Sequence, residues 1–90
     1  MKIIQTKRFA NTVKKLHKNQ KLELDNAIKF LMENPETGEL KKGDLSGIRV
    51  YKFRMVNQLT LLAYTYEDNI LTMTLLTLGT HENFYRDLKN

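Results

Sequence analysis

Residues 47–86 read GIRVYKFRMVNQLTLLAYTYEDNILTMTLLTLGTHENFYR, and the fold turns on this stretch. From Ile48 to Met55 the side chains alternate. Tyr51, Phe53 and Met55 fall on one side and Ile48, Val50, Lys52 and Arg54 on the other, as the two-residue period of a strand requires. Two further runs, Gln58 to Tyr66 and Ile70 to Leu78, are rich in Leu, Thr and Tyr. The connectors, Val56-Asn57-Gln58 and Glu67-Asp68-Asn69, are long enough only for hairpins. The stretch therefore predicts a three-stranded antiparallel meander with Lys52 and Arg54 on one face, followed by a segment that carries His81 and Tyr85.

Upstream, Pro35, Gly38, Gly43 and Gly47 mark residues 35–47 as one long loop. Its Lys41, Lys42 and Asp44 are available to a ligand, but the glycines lack phosphate-loop spacing and follow a helix rather than a strand, which argues against nucleotide binding. Before the loop, Leu24, Ala27, Ile28 and Leu31 recur at helical spacing as far as Asn34-Pro35, where proline disfavours helical geometry in the residue before it. Phe9, Val13 and Leu16 form an earlier helical stripe, with Thr6 as its cap. The connector Lys18-Asn19-Gln20 is so short that the two helices fold back as a hairpin, with its apolar stripe covered by the Tyr51, Phe53, Met55 face. Met1 to Gln5 carry one charge and no apolar core of signal-peptide length, so they read as a short strand. The expected fold is a single α+β domain over residues 1–90: an N-terminal strand and helical hairpin packed on a mainly antiparallel sheet, with a short C-terminal helix from Glu82 to Lys89.

The chain has 90 residues, 15 Lys and Arg against 10 Asp and Glu, and a formal net charge of +5, a balance that favours an acidic or polyanionic partner. Lys2, Lys7, Arg8, Lys14, Lys15, Lys18 and Lys21 lie in the first 21 residues with no acid among them, a pattern that fits a solvated helix face or a surface turned toward nucleic acid or ribosome. With no cysteine there is no disulfide framework or thiolate chemistry, and no apolar run approaches the roughly 20 residues of a membrane span. A cytoplasmic protein with no membrane partner is expected. His17 and His81 are far apart and pair with no carboxylate at helical spacing, so neither a metal site nor a cofactor is expected. Ser46, the only serine, has neither a base nor elbow glycines beside it, which argues against a serine hydrolase.

Chemistry on phosphate is what remains. Cleaving RNA through its own 2′-hydroxyl calls for a proton acceptor, cations that stabilise charge at phosphorus, and an acid or positioner for the leaving oxygen. Lys52, Arg54, His81 and Tyr85 are the side-chain types this needs. Histidine can change charge near neutral pH. If a helix begins after Thr80, His81 and Tyr85 lie four residues apart on one side of it, where the tyrosine can also stack on a base. The same residues suit structural roles: His81 as a cap, Tyr85 beside Phe84 and Leu88 as an anchor, Lys52 and Arg54 as protection of a sheet edge. His17, flanked by lysines, reads as surface.

Across essentially its whole length the chain resembles the RelE/ParE superfamily of toxins from type II toxin–antitoxin pairs. The resemblance lies in the element order and in two motifs, KGDLSGIRVYKFR at residues 42–54 and LGTHENFY at residues 78–85. It implies a toxin held inactive by a cognate antitoxin. The activity it implies is that of a ribosome-dependent mRNA endonuclease, in which Lys52, Arg54, His81 and Tyr85 match catalytic positions of RelE-like or YafQ-like enzymes. Lys41, Lys42, Arg49 and Arg86 are then the expected RNA-binding cations. Leu61 departs from the pattern, because RelE-like toxins carry a phosphate-stabilising arginine there. Arg49, Arg86 or the ribosome would have to supply that charge. The alternatives within the superfamily are a ParE-like inhibitor of DNA gyrase without nuclease activity and a degenerate toxin that only binds its antitoxin.

Overall fold

Thr6 starts the first helix as its sequence context implies: its hydroxyl oxygen accepts the Phe9 N–H at 3.1 Å and donates to the Leu76 carbonyl at 2.6 Å. The computed structural model describes residues 1–89, apart from the side chains of Glu82 and Asn83. In chain order the elements are β1 (Lys2–Gln5), α1 (Lys7–Lys14), α2 (Lys18–Glu33), β2 (Glu39–Leu40), β3 (Arg49–Met55), β4 (Gln58–Glu67), β5 (Thr72–Gly79) and α3 (His81–Lys89). The strands form one sheet in the order β1-β5-β4-β3-β2, with β1 parallel to β5 and the other pairs antiparallel. Among the described residues no helix is long and apolar enough to cross a membrane.

The alternation of β3 gives the sheet two apolar faces. On one, Phe9, Leu24 and Leu31 from the helical hairpin pack with Met55, Leu62, Tyr64, Met73 and Leu75, while Phe30, Tyr51 and Phe53 stack at centroid separations of 5.9 and 5.7 Å. On the other, Val50, Leu61, Ala63 and Phe84 form a smaller core beneath α3. Helices as short as α1 and α3 are unstable in isolation. Complete burial of a Phe side chain stabilises by about 1.5–3 kcal/mol, so Phe9 and Phe84 anchor these two helices to the sheet, with Val13 and Leu16 beside the one and Tyr85 and Leu88 beside the other.

The alternation in β5 is reset by a bulge: Tyr64 pairs with Leu75 but Ala63 pairs with Thr77, leaving Leu76 as the extra residue. Leu76 consequently joins the core under α3, while Leu75 and Leu78 join the core under the hairpin. The Thr6 hydroxyl satisfies the bulged carbonyl.

Several boundaries differ from the sequence reading. The helices are joined through residues 15–17, because α2 already begins at Lys18 and its Gln20 side chain accepts the His17 N–H at 2.7 Å. Residues 18–20 look like a turn only because the exposed first turn of α2 is polar. The stretch 35–47, read as a loop, contains β2 and a 3₁₀ turn at Gly43–Leu45, since two paired residues are too few to show a period. The β3–β4 turn is Val56-Asn57 alone, with Gln58 already paired to Met55. The last strand starts at Thr72, after a 3₁₀ turn at Asp68–Ile70 that closes with Leu71 at φ 46°.

Candidate functional site

Lys52 faces away from the helical hairpin and pairs with Leu61, which in turn pairs with Gly79 at the end of β5. There the chain leaves the sheet, and the Phe84 N–H bonds the Thr80 carbonyl at 3.2 Å as α3 folds back over the smaller core. This reversal puts exposed His81 beside half-buried Tyr85, with ring centroids 5.7 Å apart and edge-on, while Tyr85 packs edge-on against Phe84 at 5.1 Å.

The strand β2 brings the other side of the site. Its Glu39 pairs with Val50, on the face that carries Lys52, and pairing continues to the Lys41 N–H, which donates to the Ile48 carbonyl at 2.9 Å. Lys41 Nζ stands 5.6 Å from the Tyr85 ring centroid and 2.6 Å from Glu39 Oε1. The hydrogen bond from Lys41, together with its charge, holds the Glu39 carboxyl below the ordinary range, with Lys52 adding to the effect. The bond to Glu39 raises Lys41, against partial desolvation and with help from Tyr85.

Two residues hold this side in place from the opposite face. Buried Tyr64 donates from its hydroxyl to the Pro35 carbonyl at 2.8 Å and accepts the Gly38 N–H at 2.9 Å. Arg49 donates to the Gly38 carbonyl at 2.9 Å and the Glu36 carbonyl at 3.1 Å. Gly38 is required here because a Cβ would lie 2.7 Å from the Tyr64 hydroxyl.

Of the residues singled out in the sequence, the structure gathers His81, Tyr85 and Lys41, with Lys52 on the same face next to Glu39. Arg54 turns instead to the Asn57 carbonyl at 3.3 Å and borders a depression with Glu23, Phe30 and Tyr51. Arg49 is committed to the 36–38 segment. Lys42 is exposed just past β2, and Arg86 is exposed on α3 next to Tyr85. Leu61 is fully buried beneath α3. Sequence reasoning missed Glu39; its two-residue spacing from Lys41 was the available signal, hidden because the segment read as loop. Among the described residues no three His, Asp or Glu side chains are grouped so as to hold a metal ion. The assembled groups can move a proton at an imidazole, neutralise phosphoryl oxygens with ammonium groups and offer an aromatic ring to a base.

Residues 3–89 match the model of a family described as the ParE-like toxin of type II bacterial toxin–antitoxin systems. No functionally curated protein sequence matches the chain. Among solved structures, the intact E. coli RelBE toxin–antitoxin complex contains a chain 17% identical at a TM-score of 0.73, covering 90% of this chain and 96% of that one. A YoeB/ParE toxin from Agrobacterium tumefaciens is 16% identical at 0.72, covering 90% and 99%. The archaeal RelE–RelB complex from Pyrococcus horikoshii gives 15% identity at 0.63, covering 90% and 94%. At these identities the likeness is one of fold.

Proposed function

Since the chain belongs to the ParE-like toxin family of type II toxin–antitoxin systems, we propose that this toxin stops growth by cutting mRNA on the translating ribosome and that a cognate antitoxin neutralises it. The observation that carries the reading is the convergence of His81, Tyr85 and Lys41, with Lys52 alongside, on the face of the sheet that α3 crosses.

In the proposed reaction the RNA supplies its own nucleophile. A 2′-oxygen bonds to the adjacent phosphorus as the bond from phosphorus to the 5′-oxygen breaks, giving a 2′,3′-cyclic phosphate and a 5′-hydroxyl end. His81 takes the 2′-hydroxyl proton, water or the Lys52 ammonium returns one to the leaving oxygen, and Lys41 and Lys52 neutralise the non-bridging oxygens. Tyr85 holds a neighbouring base by stacking. Leu61 contributes no charge, and Arg49 and Arg54 are directed elsewhere, so the reading assigns orientation of the message to the ribosome, a contribution worth several kcal/mol. A toxin that works on ribosomes works in the cytoplasm.

The same shortage of cations favours a second reading, a gyrase inhibitor that cleaves nothing. Expressing the toxin in growing cells, mapping mRNA ends and assaying gyrase supercoiling in parallel separates the two. New 5′-hydroxyl ends within translated regions, with free RNA cut far more slowly by purified toxin, are the expected result. Intact messages with blocked supercoiling would replace it by the gyrase reading.

A further inference from the structure

Lys41 is already engaged in the free chain, and its partner resembles a substrate. The spacing of two residues along the β2 extension sets Glu39 and Lys41 side by side, and the pairing of Glu39 with Val50 puts it on the face of Lys52, two residues further along β3. Glu39 Oε1 accepts a short charge-assisted bond from Lys41 Nζ, at 2.6 Å. The two side chains differ in freedom: Lys41 is 22% exposed and rests against the Tyr85 ring, while Glu39 is 69% exposed. A plain solubility pair would leave both ends loose in water. Here the cation is the more enclosed partner, beside an aromatic ring, and the carboxylate is the more exposed one. A glutamate is ionised at neutral pH, so Glu39 presents a carboxylate to a cation that the reaction needs for a phosphodiester.

We propose that Lys41, Lys52 and the Tyr85 ring form a phosphate-binding subsite for single-stranded RNA, and that the Glu39 carboxylate fills it in the free toxin, so that a backbone phosphate binds by displacing Glu39. The subsite deepens the nuclease reading and rests on it. Because exposed ion pairs are weak, displacement needs only modest compensation, which a strand bringing both a phosphate and a stacking base supplies together. An isolated anion supplies half of that. Glu39 thereby lowers the affinity of the free toxin for stray RNA and leaves binding to message that is already oriented.

The test uses the full chain and a short 2′-O-methyl RNA, whose blocked 2′-hydroxyl prevents cleavage. Affinity is read by fluorescence anisotropy at one low salt concentration for wild type, Glu39→Gln, Lys41→Gln and the double variant, with melting curves to verify folding. Glu39→Gln should bind roughly two- to fivefold tighter, the range for releasing one surface ion pair. Lys41→Gln should bind more weakly, and in that background the gain from Glu39→Gln should fall by at least half. No gain from Glu39→Gln, or an equal gain with and without Lys41, overturns the proposal, because Glu39 would then act only as one more negative charge. A titration with inorganic phosphate, followed by NMR, should shift Lys41 and Tyr85 signals further in Glu39→Gln than in wild type; equal shifts also overturn it. Cleavage assays separate the two readings. Phosphate binding that depends on Glu39 in a toxin that cuts no message keeps the subsite and removes the nuclease, whereas a nuclease whose RNA affinity ignores Glu39 removes the subsite alone.

Discussion

The Tyr64 hydroxyl closes two hydrogen bonds at the base of the segment that carries Glu39 and Lys41, one to the Pro35 carbonyl and one from the buried Gly38 N–H. Tyr64→Phe leaves that N–H without a partner and should lower stability by about 1–3 kcal/mol, measured by urea unfolding. Burial raises the Tyr64 phenol above its ordinary value. The folded chain therefore keeps this proton to higher pH than the unfolded chain, so its contribution is complete below about pH 10 and declines as pH rises through the folded value. Urea midpoints taken on either side of about pH 10 should fall less in Tyr64→Phe than in wild type. At the site, exposed His81 touches Tyr85 at its edge, so His81→Ala should leave the melting temperature unchanged and reduce message cleavage by roughly 10² to 10⁴. His17→Ala should cleave like wild type, because His17 sits at the start of α2, where its backbone N–H bonds Gln20 and its carbonyl accepts from Lys21, and takes no part in the His81–Tyr85 contact. His81 and Tyr85 were legible as a pair because a helix relates residues four apart. Arg49 was not legible as a clamp, since its acceptors are backbone carbonyls of residues 36 and 38, invisible in side-chain types.

At the scale of elements, the β3–β4 hairpin carries backbone strain. Val56 and Asn57 both have positive φ, 51° and 67°, as a two-residue turn that matches strand twist requires. A β-branched residue is a poor occupant of that region. Glu23 of α2 offsets part of the strain by accepting the Val56 N–H, a bond that any side chain at position 56 preserves. Val56→Asn should therefore raise stability by about 1 kcal/mol in urea unfolding, with Glu23→Ala lowering it. No change in Val56→Asn would mean that the turn relaxes around valine without penalty. Strand β3 and the two N-terminal helices were readable from periodicity, because each buries one face over at least two repeats of its pattern. The strand β2 and the bulge at Leu76 were not, since each involves too few residues to form a pattern and exists only through its partners, Val50 and Arg49 for the one and Ala63 and Tyr64 for the other.

For the whole molecule, the net charge of +5 and the acid-free run through Lys21 set the long-range field. If the antitoxin proposed above is acidic, its binding should begin with electrostatic steering, so the association rate should fall by at least tenfold between low and high salt while dissociation changes little. Stopped-flow mixing at several salt concentrations measures this. A rate indifferent to salt would place the recognition in apolar contacts instead.

The sequence by itself determined the α+β class, the antiparallel meander, the two-sided β3 with Lys52 turned from the helices, the cap at Thr6 and the end of the second helix at Asn34-Pro35. Each of these is a local choice made by side-chain period, by proline or by a hydroxyl near a free N–H. Only the tertiary structure decided that Lys41, 44 residues before Tyr85 in the chain, stands over its ring, that Glu39 holds Lys41, and that Arg49 and Arg54 face elsewhere. Those relations depend on strand register and on the burial of Phe84, which fixes where α3 lies. Contacts between residues so distant in the chain are set by how the layers pack, and no local pattern encodes them.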